Sequence, residues 1–268
     1  MLRIIATLLM SLLVNLPTSS LIAEPMNHAQ WDSLLKQHVK LIDSGNSTAL
    51  NYAGFARDIS RFKSYQDQLS GVTRTEFDQW DKDNQLAFLI NAYNVFTVAL
   101  ILTKYPGLDS IKDLGSFFSS PWKKKFIKLL GQTRSLDDIE HKLIRGSGRY
   151  NDPRIHFAVN CASIGCPALR AEAYTGDQID SQLHDQTRQF LSDSSRNRFE
   201  NGQLEVSPIF KWYREDFEKS WLGFNSLEEF FAAYAVQLGM TDEQLSNLKA
   251  GKIEIEFLDY DWRLNDVH

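Results

Sequence analysis

The stretch Leu86-Ala-Phe-Leu-Ile-Asn-Ala-Tyr-Asn-Val-Phe-Thr-Val-Ala-Leu-Ile-Leu102 is apolar on nearly every side of a helical projection, and its reading decides the fold. A helix without a polar face belongs in a protein core or in a membrane. Asn91, Asn94 and Thr97 interrupt this one, and Asp83 and Lys104 bracket it closely. Those residues argue against a bilayer span and for a central helix over about 84–103, buried in a soluble domain.

Working outward, Trp31, Leu34, Leu35, His38, Leu41 and Ile42 share one face at helical spacing. Thr73 with Glu76 has capping-box spacing and opens a short helix that ends near Trp80. Beyond the central helix, Phe126–Leu130 and Thr133–Leu136 flank a tight turn at Gly131–Gln132. Ile155–Asn160 reads as a buried strand after the Asn151-Asp-Pro153 turn. Asn201–Gly202 carries the strongest hairpin signal, pairing Phe199 with Leu204 and Arg198 with Glu205. Ile253, Ile255 and Phe257 alternate with glutamates as a half-exposed strand. Helices are expected over about 176–191 and 226–238, the latter opened by Ser226/Glu229, and a third after Thr241. Hairpins mixed with separate helices make this an α+β fold: a mainly helical single domain over 24–268 with a small antiparallel sheet.

The N-terminus has the order of a secretory signal: Arg3, an apolar run from Ile4 to about Val14, then Pro17 and small polar residues. Cleavage after Ala23, or after Ser20 since Leu21 stands where a small residue is usual, is expected, giving a signal over 1–23 and a periplasmic or secreted product with no transmembrane segment after its removal. Hydrophobic residues make up 43% and aromatic residues 12%, which suits a packed core. A net charge of −5 argues against a nucleic-acid partner, which would want a basic face. Lys123–Lys124–Lys125, the one basic run, reads as a solvated turn.

Three segments hold more polar groups than packing requires. Asn91 and Asn94 share a face of the central helix; they either tie it to a neighbouring loop or line a site. Asp137 and Asp138 suit a helix start, and the adjacent Glu140 and His141 point about 100° apart, so they are not expected to aim at one small target. In Asn151-Asp-Pro-Arg-Ile-His-Phe-Ala-Val-Asn-Cys-Ala-Ser-Ile-Gly-Cys-Pro167, a strand puts Ile155, Phe157 and Val159 on one side and His156 on the other. Cys161 then approaches His156 only if the chain turns near Asn160.

The central helix, the segment ending at His141, Asp152-Pro-Arg-Ile-His-Phe157 with Cys161 and Cys166-Pro167, Phe210-Lys-Trp-Tyr-Arg-Glu-Asp-Phe217 and Phe257-Leu-Asp-Tyr-Asp-Trp262 together resemble the domain of unknown function 547 family, over roughly 80–265. The resemblance implies a recurring domain and no particular reaction. A weaker similarity of layout links the chain to papain-like and transglutaminase-like enzymes, in which a buried helix precedes a sheet bearing a histidine. Here the helix carries Asn91 and no cysteine, and both cysteines follow His156.

Two functional readings follow. In one, Cys161 is the nucleophile of a thiol-dependent hydrolase or acyl transferase, with His156 as base, Glu140 or an asparagine orienting it, and Arg154 favouring the thiolate. In the other, an exported chain with only two cysteines joins Cys161 to Cys166, and the pinned loop borders a site for a small molecule or peptide. The second is preferred, with Asn91, Asn94, His141, Arg154 and Lys211 as binding candidates. His141, His156, Cys161 and Cys166 are chemically suited to a metal, but no close ligand pair occurs, so no metal or cofactor is assigned. Phe210, Trp212, Tyr213 and Phe217 read as core and Trp262 as closing the chain against the body. Lys211, Arg214, Asp216, Asp259 and Asp261 read as their structural ion-pair partners.

Overall fold

A computed structural model describes residues 23–42, 45–116 and 119–267. The expected export signal therefore lies, but for Ala23, outside the described residues. In chain order the elements are α1 (Ala29–His38), β1 (Val39–Ile42), β2 (Ser47–Leu50), α2 (Tyr52–Arg57), α3 (Ile59–Gly71), α4 (Arg74–Gln79), α5 (Lys82–Leu102), β3 (Ile127–Leu129), β4 (Gln132–Arg134), α6 (Ile179–Leu191), β5 (Arg198–Glu200), β6 (Gln203–Val206), α7 (Ile209–Trp212), α8 (Arg214–Glu218), α9 (Leu227–Ala233), α10 (Asp242–Lys249) and β7 (Ile255–Phe257). The fold is mixed α+β, predominantly helical, around a buried apolar central helix with small antiparallel sheets.

That central helix is α5. It is long and apolar enough to cross a membrane, yet 89% of its apolar window is buried inside the protein. Asp81 caps its start by accepting from the Asn84 N–H, and Thr73 and Glu76 form the reciprocal capping box of α4. Around α5 gathers a first core containing Trp31, Phe55, Phe62 and Tyr65, with the β3–β4 hairpin beside it. A second core is rich in phenylalanine, with Phe190, Phe210, Phe217, Phe230 and Phe231 among its rings.

Several local expectations shift by a residue or change type. α1 ends at His38, and the chain then runs out as β1, leaving Leu41 66% exposed instead of on the buried face. Leu130 and Gly131, both at positive φ, make the β3–β4 turn, one position earlier than the glycine alone suggested. The primed turn geometry that suits strand twist needs φ > 0 at both central residues. Asn201 and Gly202 do the same for β5–β6, with Phe199 opposite Leu204 and Arg198 opposite Glu205. β7 joins this hairpin in parallel, alongside β6.

The largest departure is at 153–157, which form a short 3₁₀ helix and not a strand. Asp152 accepts from the Arg154 N–H and Pro153 occupies the first turn, both helix-starting features. Successive 3₁₀ side chains diverge by about 120°, so three consecutive residues leave in three directions. Ile155 enters the first core, Phe157 the second, and His156 is left for neither. His156 thus stands on one helical turn, and the papain-like and transglutaminase-like layout, with its histidine on a sheet, is not reproduced.

The amides of α5 hold the neighbouring loops. Asn91 donates to the Tyr174 carbonyl (2.8 Å) and accepts from the Tyr174 N–H (3.0 Å). Asn94 donates to the Ala158 carbonyl (2.9 Å) and accepts from the Asn160 N–H (2.8 Å). Replacing Asn94 with leucine leaves that carbonyl and that N–H unpaired in the interior. Urea unfolding of Asn94→Leu should show a loss of about 3 kcal/mol, since each orphaned buried group costs about 1–3 kcal/mol; a loss below that of a surface substitution would refute the clamp.

Candidate functional site

Residues 138–144 wind as a π-helical segment packed beside α5. Ser135 and Asp138 open it by exchanging side-chain bonds to each other's backbone N–H. Hydrogen bonds from Lys142 and Ser135, against some burial, bring the Asp138 carboxyl down to about 2. This wider helix, of a type frequent at functional sites, carries both Glu140 and His141 to one cavity, contrary to the expectation from α-helical angles. The His141 Nδ1 lies 3.9 Å from the Glu140 Oε1.

The cavity has a volume of about 190 Å³. Asp137, Glu140, His141, His156, Cys161 and Cys166 bring the polar chemistry to its wall. Six aromatic rings complete it: Tyr93, Trp122, Trp212, Tyr213, Tyr260 and Trp262. Trp212 is 48% exposed and stacks against Trp262 (5.8 Å between rings), while Tyr260 sits 4.4 Å from Trp262. Phe210 and Phe217 are core, as their segment suggested, but Trp212, Tyr213 and Trp262 form the cavity wall. No spacing in the sequence separates the two groups; in the structure Trp212 and Tyr213 fall at the end of the short α7, where the chain kinks into α8.

Glu140 is buried, and the phenols of Tyr93 and Tyr213 stand beside its carboxylate, whose charge acts on both. Burial, reinforced by the Glu140 charge, raises both phenols well above their ordinary range, so they stay protonated donors. Burial likewise raises the Asp137 carboxyl, with His141 opposing.

Behind His156 lies a second polar group that sequence reading treated only as a generic ion-pair partner. Asp216, on α8, is buried and accepts from the His156 Nε2–H (2.8 Å), the Arg145 Nε–H (2.5 Å) and the Lys219 ammonium (3.2 Å). Burial opposes ionisation, but the His156 and Arg145 hydrogen bonds hold its carboxyl well below the usual range. His156 stacks on Tyr213 at 3.9 Å, and the Arg145 guanidinium lies 4.8 Å above that same ring. Burial lowers the His156 imidazole below its ordinary value, with the Asp216 hydrogen bond opposing. The ring is therefore neutral near pH 7; with Nε2–H given to Asp216, its Nδ1 has no hydrogen-bond partner.

Cys161 and Cys166 form a disulfide, with their Cα atoms 6.2 Å apart. In this state Cys161 is no free nucleophile, although it shares the cavity with His156 and Glu140. The remaining candidates lie elsewhere. Asn91 and Asn94 are spent on backbone groups, Arg154 pairs with Asp152 and Asp180, and exposed Lys211 points its ammonium toward the Phe257 ring. None of these four lines the cavity. Among the described residues, no group of three or more His, Cys, Asp or Glu is placed to hold a metal ion.

Residues 77–191 match the model of a family described as protein of unknown function, DUF547. The matched stretch, less than half of the chain, runs from α4 through α6 and includes Glu140, His141, His156 and both cysteines. It stops well short of the expected 265, so the aromatic segments 210–217 and 257–262 fall outside it. No curated protein and no solved structure matches the chain.

The neutral His156 has a consequence for stability. Below about pH 6.5 the unfolded imidazole takes up a proton that the folded ring refuses, so stability is whole above that value and falls as pH drops. His28, buried and lowered to about 4, acts in the same direction. His156→Gln should lower stability at pH 7 and reduce the slope between about pH 5 and 6.5, by up to about 1.4 kcal/mol per pH unit, in urea titrations. An undiminished slope would mean that the ring is already charged in the folded protein.

Proposed function

We propose that this is an exported binding domain whose aromatic cavity takes a small ligand, or the end of a peptide, through an ammonium group. The observation that carries the reading is Glu140. Buried charges are normally paired. The imidazole of His141 lies 3.9 Å from this carboxylate, and the Arg145 guanidinium acts on it through space. Two phenols flank the carboxylate, Asp137 adds a second acidic group, and indole and phenol faces surround them. Aromatic faces attract organic cations, most strongly when these are desolvated. The Lys112 ammonium already rests 3.6 Å from the centre of the Trp262 ring, an internal instance of the same chemistry. A volume of about 190 Å³ suits an amine head group better than a large cofactor.

Export is supported by the N-terminal pattern of Arg3, apolar core and Pro17, and a disulfide suits an oxidising compartment. The disulfide makes one wall of the site, in keeping with a scaffold role for its loop. The alternative, a thiol hydrolase or acyl transferase, draws its support from Cys161 and His156 sharing the cavity, with Asp216 orienting the imidazole. It requires Cys161 in its reduced form.

Benzylamine and tetramethylammonium, titrated against intrinsic tryptophan fluorescence, test the binding reading, with benzyl alcohol as the neutral control. Both cations should bind and the alcohol should not. Glu140→Gln, which keeps the side chain's size and removes its charge, should weaken cation binding by about tenfold, the equivalent of one lost charge contact. Binding of the alcohol at the same affinity, or indifference to Glu140→Gln, would overturn the ammonium assignment. Intact mass of the protein recovered from outside the cytoplasm should begin near Glu24; retention of residues 1–23 would overturn export.

A further inference from the structure

The Cys161–Cys166 disulfide closes a loop that is already held without it. The Asn160 N–H goes to Asn94 and the Ala162 N–H to the side chain of Asn160. The Ile164 and Gly165 N–H groups donate to the carbonyls of Arg263 and Asp261 (2.8 Å each), and the Cys166 N–H donates to the Ser163 carbonyl. Asn160 also donates to the Pro167 carbonyl and receives a bond from Asn265. A crosslink whose loop is fixed by so many other bonds adds little to its geometry.

What surrounds the sulfur atoms is less ordinary. Cys166 is almost fully buried, and its Sγ accepts from the backbone N–H of Cys161 (2.9 Å), the Tyr260 hydroxyl (3.2 Å) and the Ser163 hydroxyl (3.5 Å). Cys161 is only half-buried, lines the cavity, and has the same two hydroxyls 3.1 Å from its Sγ. Ala162 between them takes a positive φ of 63°, a conformation that L side chains rarely adopt outside over-determined turns. Gly165 lets the Tyr260 ring lie against the backbone: a Cβ there would meet ring atoms at 3.0 Å. Burial raises the Tyr260 phenol, keeping it protonated as a donor. Hydrogen-bond donors around a sulfur favour its thiolate, and a better-stabilised thiolate leaves a disulfide faster.

We propose that this disulfide is a thiol-exchange centre, reached through the cavity and reduced by small or peptide thiols. The incoming thiol gives up its proton and its sulfur attacks Cys161 Sγ. The Cys161–Cys166 bond breaks, and Cys166 leaves with the electron pair as a thiolate facing the Cys161 N–H and the Tyr260 hydroxyl, to which Ser163 donates. A second thiol then attacks the incoming sulfur of the mixed disulfide on Cys161, releasing Cys161 as a thiolate. Two thiols are oxidised to one disulfide, the protein disulfide is reduced to two cysteines, and the two released protons return to them. The chemistry rests on the donors at Cys166 and the exposure of Cys161, and not on the ammonium reading of Glu140.

Neutral 2-mercaptoethanol is therefore the probe, so that loss of amine binding and loss of exchange are separate results. The intact oxidised protein is treated with it, quenched in acid, alkylated with iodoacetamide and peptide-mapped over time. The mixed disulfide should appear on Cys161 with Cys166 alkylated, while circular dichroism shows the fold unchanged after full reduction. Tyr260→Phe should slow the first step by about tenfold and Ser163→Ala by less, as expected for lost hydrogen bonds to a leaving group. The proposal fails if the disulfide survives conditions that reduce oxidised glutathione, or if the adduct maps to Cys166. It fails equally if the fold collapses on reduction, or if neither variant alters the rate.

Discussion

A helix buried on all sides leaves its polar side chains no access to water, so every carboxamide on it must bind another part of the chain. That requirement on α5 organises the rest of the molecule. Asn91 and Asn94, three residues apart, each clamp a stretch of backbone through both their donor and their acceptor. Asn94 holds the segment that runs into Asn160, Asn160 holds the cysteine loop, and Asn265 ties that loop to Tyr52 on α2. The cost of leaving such groups unpaired in the interior exceeds what one paired hydrogen bond contributes. The relay of amides thus places the disulfide relative to α5 more strictly than apolar packing alone would.

Where local chemistry and tertiary context agree, the fold was legible. The Thr73/Glu76 box, the Asn201–Gly202 turn and the all-round apolar α5 each depend on forces acting within a few residues, and each forms at its expected place. Failures occur where two environments meet. Ile-His-Phe at 155–157 has strand periodicity, but its apolar residues belong to different cores, and only a 3₁₀ turn can send them apart. Glu140 and His141 converge because their helix is wider than an α-helix, which residue spacing does not announce. Of the site, the segments carrying Glu140, His156 and the cysteines were visible as unusually polar. The aromatic wall was not, because a tryptophan lining a cavity and one filling a core look alike in a sequence. Asn91 and Asn94 tie α5 to neighbouring loops, one of the two roles their spacing allowed, while Arg154 pairs with Asp152 and Asp180 and Lys211 is exposed.

The group at His156 shows how burial sorts ionisable residues that touch. Asp216 keeps its charge because Arg145, His156 and Lys219 all donate to it. His156 donates and stays neutral, since a second cation beside Arg145 in a desolvated place has little to gain from a carboxylate already satisfied. One carboxylate thereby sets the tautomer of the ring and the orientation of the guanidinium over Tyr213. The same arrangement stiffens the wall in which Tyr213 steadies Glu140, so charge inside the second core is coupled to the shape of the cavity.

Tyr260 lies across Gly165 and the paired sulfurs, yet 99 positions separate it from Cys161. A chain made from its N-terminus presents the two cysteines, five positions apart, before that ring arrives. During this interval the sulfurs lack both that cover and the hydroxyl that later lies beside them. The shielding of the pair thus belongs to the finished fold and not to the segment that carries the two cysteines. The reactivity of the pair is consequently written by residues that play no part in making it.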